Sequence, residues 1–273
     1  MKAKQVMEAV LAAMMLLGAA GCGSSEKKAA DSKPAAAGGS ITGSGSSALL
    51  PLMKDAAAKY KAKNKDVTIT LNAGGSGTGL KQVSDGSVDM GNSDVPAESK
   101  LPKDKAAKLK DHRICVMTVV PILNKDVKVK SLTKQQLADI FTRPKTSGTR
   151  ALFKKYAING VEEADNKSLE TDNSGVLLKS VASNAGAIGY VALPYVIKDT
   201  TVEKLSIDGV APTLENTYSG KYPVWGFEHV YTAQNEKPAV KAFLDYVLGE
   251  EYGKRIEELG YGVSSKMQTK EVH

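Results

Sequence analysis

"GGSGTGLKQVSDGSVDMGNSDVP", residues 74–96, is the stretch whose reading decides the fold. A loop of small residues runs into a helix at Ser76, and "GSVDMGNSD" then reads as a short strand. Upstream, Val67, Ile69 and Leu71 alternate with threonines, the period of a strand. Before that strand, Leu49, Met53, Ala56 and Tyr60 fall on one helical face. Loop, helix, strand, loop, helix, strand is a βαβ-like rhythm, and it predicts an α/β protein with a largely parallel sheet.

Downstream, Ile114 to Leu123 is an apolar run that suits a crossover strand. "SLTKQQLADIF", residues 131–141, places Gln136 three after Thr133 and then Leu137, Ile140 and Phe141, a capping box on an amphipathic helix. "GAIGYVAL" (186–193) is strand-like, and "YPVWGFEHVYT" (222–232) is rich in strand formers although it alternates poorly. Val240, Phe243, Leu244 and Val247 return to helical spacing. The elements fit two α/β lobes with a cleft between them, lobe 1 from 41–120 and 222–273, lobe 2 from 121–221.

The first forty residues differ from the rest. Lys2 and Lys4 precede an apolar run at 9–20 that is too short to span a bilayer, the pattern of a secretory signal. Ala19-Ala20-Gly21-Cys22 resembles the lipobox of bacterial lipoproteins, which predicts a signal peptide at 1–21, lipidation of Cys22 and anchoring at the outer face of the cytoplasmic membrane. Residues 22–40 are rich in Ala, Ser, Gly and Lys and read as a disordered tether. With Cys22 and Cys115 as the two cysteines, there is no disulfide framework, and Cys115 reads as a small buried hydrophobe. The formal net charge is +7, a mild excess that draws anions toward the surface. The lysines are scattered among acids with no interleaved aromatics, which argues against nucleic-acid binding.

"TGSGSSALL" (42–50) and "TSGTRALFKKY" (146–156) repeat the loop-into-helix pattern of 74–83. A helix start offers unpaired N–H groups and partial positive charge, so small residues there make an anion site. Each loop alone is equally an ordinary cap. None carries the Gly-Lys-Ser/Thr ending of a P-loop, the G-x-G-x-x-G spacing, or a G-x-S-x-G elbow, and no histidine is brought to a serine, so catalysis is not expected.

Six motifs, "ITGSGSSALLPLM", "GGSGTGLKQVSDGSVDMGNSDVP", "LTKQQLADIF", "RPKTSGTRALFKKY", "AGAIGYV" and "YPVWGFEHVYT", occur in the order seen in the phosphate-binding proteins of bacterial phosphate ABC transporters. The chain resembles that family from about Ile41 to Gly262, with the lipobox suited to its lipid-anchored members. The resemblance implies a two-lobed type II periplasmic-binding-protein fold that closes on one dehydrated phosphate. It implies ligand roles for the Ser47 hydroxyl, the Ala48 N–H, Ser76, Asp94, Arg143 and the Ser147-Gly148-Thr149 loop. Asp94, ionised, would accept the proton that hydrogen phosphate carries and repel sulfate; Arg143 would give a charge-assisted bond. The implied partners are inorganic phosphate, the permease and ATPase subunits of an ABC importer and, through the anchor, the membrane; no cofactor or metal is implied. In that family a turn and a strand precede the arginine, whereas "IFTRPKTSGTR" joins helix to loop directly, so the second lobe is expected to be shortened. Other readings of the same residues are a binder of sulfate or molybdate, a secreted serine hydrolase acting through Ser76 or Ser147, and a surface sensing or adhesion lipoprotein that no longer binds phosphate.

Overall fold

The structure, a computed structural model, describes residues 38–138, 144–161 and 171–269. In chain order they form β1 (Gly39–Gly45), α1 (Leu50–Lys63), β2 (Val67–Ala73), α2 (Ser76–Ser84), β3 (Met90–Ser93), α3 (Lys103–Ala106), β4 (Leu109–Asn124), β5 (Ser131–Leu132), α4 (Lys134–Ala138), α5 (Gly148–Tyr156), α6 (Ser174–Ser183), β6 (Ile188–Ala192), β7 (Val202–Lys204), β8 (Ser206–Ile207), α7 (Leu214–Tyr218), β9 (Trp225–Ala233), α8 (Pro238–Leu248) and α9 (Glu250–Gly253). The leader, Cys22, most of the tether, Arg143 and the junction at 139–143 lie outside the described residues. Among the described residues no strand lies between α4 and α5.

From α1 onward the first half forms as its pattern predicts; before it, residues 39–45, read as the end of the tether and the start of a loop, form β1 instead, because their backbone pairs with both β2 and β3. α1 buries Leu52, Met53, Ala56, Ala57 and Tyr60, and ends with Lys61 and Lys63 where cations suit the helix dipole. Its Tyr60 ring meets Phe243 of α8 edge-on at 5.4 Å, and both belong to a core shared with Ile41, Met90, Val230 and Val240. β2 alternates buried or half-buried with exposed positions along most of its length. The Thr133–Gln136 capping box is present, the Thr133 N–H donating to Gln136 Oε1 at 2.9 Å and the Gln136 N–H to Thr133 Oγ1 at 3.3 Å.

The sheet runs β2-β1-β3-β9-β4-β6, with β7 also on β4. It is mixed, not largely parallel. β1 pairs in parallel with β2 and β3, but β9 enters antiparallel between β3 and β4, and β4 is antiparallel to β6 and β7 as well. A βαβ rhythm predicts local pairings; β9 comes from about 130 residues further along and reverses the direction. β9 is buried at every position but the last, so both its faces are covered and its sequence has no reason to alternate. β4 is the crossover expected at Ile114–Leu123: its first part pairs with β9, its last residues with β6 and β7.

A second core gathers on β4 and β6. Phe153 of α5 stacks on Tyr190 of β6 with ring centroids 4.2 Å apart, among Met117, Val119, Leu137 and Leu152. Cys115 is fully buried with a free thiol, and burial pushes that thiol's pKa well up.

Candidate anion-binding site

The helix starts of the three Gly/Ser loops meet, and a fourth joins them. The first loop is held rigid before any ligand is considered. Ser46 accepts from the N–H groups of Ala48 and Leu49 at 3.0 and 3.1 Å and so caps the turn leading into α1. The carbonyls of Ser47 and Ala48 accept from the hydroxyls of Tyr195 and Tyr261, each at 2.6 Å. The Ser47 side chain points toward residues 172–174: its Oγ donates to the Asp172 carbonyl at 2.6 Å, lies 2.9 Å from Ser174 Oγ, and accepts from the Ser174 N–H at 3.2 Å.

The second and third loops interlock. Gly77 N–H donates to the Thr146 carbonyl at 3.0 Å. Ser147 caps α5 by accepting from the Arg150 N–H at 3.1 Å. Ser76 Oγ accepts from the Asp94 N–H at 3.0 Å, and the Thr149 hydroxyl donates to Asp94 Oδ2 at 2.8 Å. Gly148 lies on this junction: a Cβ there would collide with Ser76 Oγ and stand 2.9 Å from Asp94 Oδ2, so only glycine lets the loops close. Gly75, at φ +82°, takes the left-handed turn into α2 with Asp172 packed against it.

Ser47, Ala48, Ser76, Asp94, Ser147, Gly148 and Thr149 are thus gathered in one neighbourhood, and each is buried. The Ala48 N–H, expected to face a ligand, is paired with Ser46. Sequence reading missed the α6 start. "DNSG" at 172–175 carries the same signal as the other loops: Asn173 caps by accepting from the Val176 N–H at 3.0 Å, and a buried serine follows. It also missed Lys100, whose ammonium donates to the Lys145 carbonyl at 2.8 Å and whose pKa is lowered by burial, with Asp172 and Asp94 opposing and Arg150 adding to the effect. Lys100, Lys145, Arg150 and Lys154 share with Ser147 the wall of a shallow pocket beside α5, a cationic approach to the site.

Four helix starts, their hydroxyls and one carboxylate suit a small tetrahedral oxyanion that carries a proton. Nothing in the arrangement is a nucleophile with its base: Ser76 and Ser147 accept backbone N–H bonds, and of the described histidines His229 binds Asp111 at 2.8 Å and His112 faces Thr232 and Glu236. Among the described residues no group of His, Cys, Asp and Glu could hold a metal ion, and no helix is long and apolar enough to cross a membrane.

Known proteins share this fold. The PBP superfamily domain matches residues 30–251. The phosphate-binding protein PstS of Bacillus subtilis is 42% identical over 279 residues, covering 93% of this chain and 92% of its own length. A phosphate-bound substrate-binding protein from Clostridium perfringens superposes with a TM-score of 0.74 at 27% identity, over 82% of this chain and 99% of that one. An ABC-type phosphate transport receptor from Vibrio cholerae has the same fold, with a TM-score of 0.62 at 21% identity over 82% of this chain and all of that one. The chain belongs to the PBP superfamily and, within it, to the family of phosphate-binding proteins.

Proposed function

We propose that this protein captures inorganic phosphate outside the cytoplasm and delivers it to the permease and ATPase of an ABC importer, with no reaction catalysed. The observation that carries this reading is the junction of Ser76, Asp94, Gly148 and Thr149, where helix starts meet a carboxylate that can only accept. Helix N–H groups and hydroxyls would hold the oxyanion, Asp94 would accept the ligand's proton in a hydrogen bond, and Arg143 would add charge. The phosphate-bound Clostridium relative and the Bacillus protein support the choice of phosphate over other oxyanions. Lobe 1 (41–120 and 222–273) and lobe 2 (121–221) would close by a hinge at β4 and the segment before β9. Cys22 would carry the lipid that keeps the protein at the outer face of the cytoplasmic membrane.

Isothermal titration of phosphate and of sulfate into protein freed of bound phosphate tests the reading. One-to-one phosphate binding without sulfate binding is expected. Equal binding of both would give the site to oxyanions in general, and a folded protein that takes up neither would sink the assignment.

A further inference from the structure

Glu228 is a buried carboxyl of this neighbourhood to which phosphate capture, as proposed, gives no role. In the β3–β9 register Ser93 faces His229, so the next residue, Asp94, stands opposite Glu228 with both side chains on one face of the sheet. Asp94 is 2% exposed and Glu228 is 0% exposed. Asp94 Oδ2 has the Thr149 hydroxyl, but Asp94 Oδ1 and both Glu228 oxygens have no hydrogen-bond donor.

Two ionised carboxylates can give one another nothing, because each only accepts. Leaving both ionised in a buried site would also set like charges side by side. One proton between them satisfies the facing oxygens. We propose that Glu228 is protonated at neutral pH and shares its proton with Asp94, so that the pair carries a single negative charge and Glu228 positions the acceptor that discriminates phosphate from sulfate. Glu228 is then a positioning residue acting through Asp94. A doubly ionised pair would repel the ligand, and a doubly protonated one would donate to it and admit sulfate.

The groups around the pair agree with this assignment. Burial raises the Glu228 pKa well above the usual carboxylate range, and the charge of Asp94 adds to the rise. Cys115 faces Glu228 from β4 and Tyr261 approaches from the C-terminal segment; burial holds both in their neutral forms. Thr149 faces Asp94 from α5, and Lys100, itself under the influence of Arg150, lies within electrostatic reach of Asp94. His229, next in sequence, projects from the opposite face to Asp111.

The role in selectivity rests on the phosphate reading, but the protonation state does not, and the test separates them. Carbon NMR of the full-length protein labelled at the glutamate δ-carboxyl, recorded without phosphate from pH 6 to 8, should show one carboxyl in its protonated position, absent from the E228Q spectrum. A spectrum with every glutamate ionised at pH 7 overturns the proposal. Phosphate titration then compares E228Q, whose amide still donates to Asp94, with E228M, which fills the space and donates nothing. We expect E228Q to stay within about threefold of the parent and E228M to lose about tenfold or more, the effect of leaving a buried charged group without its partner. E228Q as weak as E228M would overturn the proton-donating role, even if E228M proved poorly folded. A protonated Glu228 in a parent protein that binds no phosphate would support the shared proton while sinking the phosphate reading.

Discussion

At the scale of single residues, the site depends on one missing side chain and one shared proton. Gly148→Ala should reduce phosphate affinity by tenfold or more with a smaller loss of stability, because the new methyl must push Ser76 away from Asp94 or displace the start of α5; titration beside urea unfolding measures both. Asp94→Asn should narrow the phosphate-over-sulfate preference, since an amide can donate to an oxygen that carries no proton. Unchanged selectivity would remove Asp94 from the discriminating role. Glu228 also imposes a pH dependence on stability. Its pKa is raised in the folded state, so between the unfolded value near 4.5 and the folded one the native protein holds a proton that the unfolded chain has released. That contribution is fully present below the unfolded pKa and drains away as pH rises, by about 1.4 kcal/mol per pH unit within the window. Comparing urea midpoints at pH 5 and pH 8, E228Q should therefore gain on the parent at the higher pH, and parallel changes in the two proteins would contradict it.

At the scale of elements, α5 carries the Ser147-Gly148-Thr149 loop and is fixed by what it buries. Phe153 stacks on Tyr190, and Leu152 packs where Gly226 of β9 leaves room. Phe153→Ala should cost about 3–5 kcal/mol in chemical denaturation, and phosphate affinity should fall with it because the helix start loses its anchor. The sequence disclosed such elements unevenly. α1, β2, α2 and the capping box were legible because each buries one face and leaves the other in water, which imprints a period on the residues. β9 left no such imprint, being covered on both sides, and its insertion between β3 and β4 depends on pairings too distant for any local pattern to report. The Gly/Ser loops were legible as helix starts, yet nothing local shows that Ser47 meets Ser174 across 127 residues or that Asp94 faces Glu228.

At the scale of the whole molecule, a ligand that binds only the folded state must raise its stability. Phosphate at about a hundredfold above its dissociation constant should add about 2.7 kcal/mol, read as a rise in Tm that sulfate does not reproduce. A Tm indifferent to phosphate would count against the proposed site. The long strand β4 has a further consequence, for the way the protein is made. Leu109 pairs with Ala233, so the inner edges of β3 and β4 stay open until β9 is available. A chain that emerges from the N-terminus first therefore exposes two unsatisfied sheet edges while more than a hundred residues are still to follow, and pairing so distant in sequence is slow. For this protein the interval between the appearance of β4 and the arrival of β9 is the period of greatest exposure to proteases and to aggregation, and a chain cut short before Trp225 never leaves it.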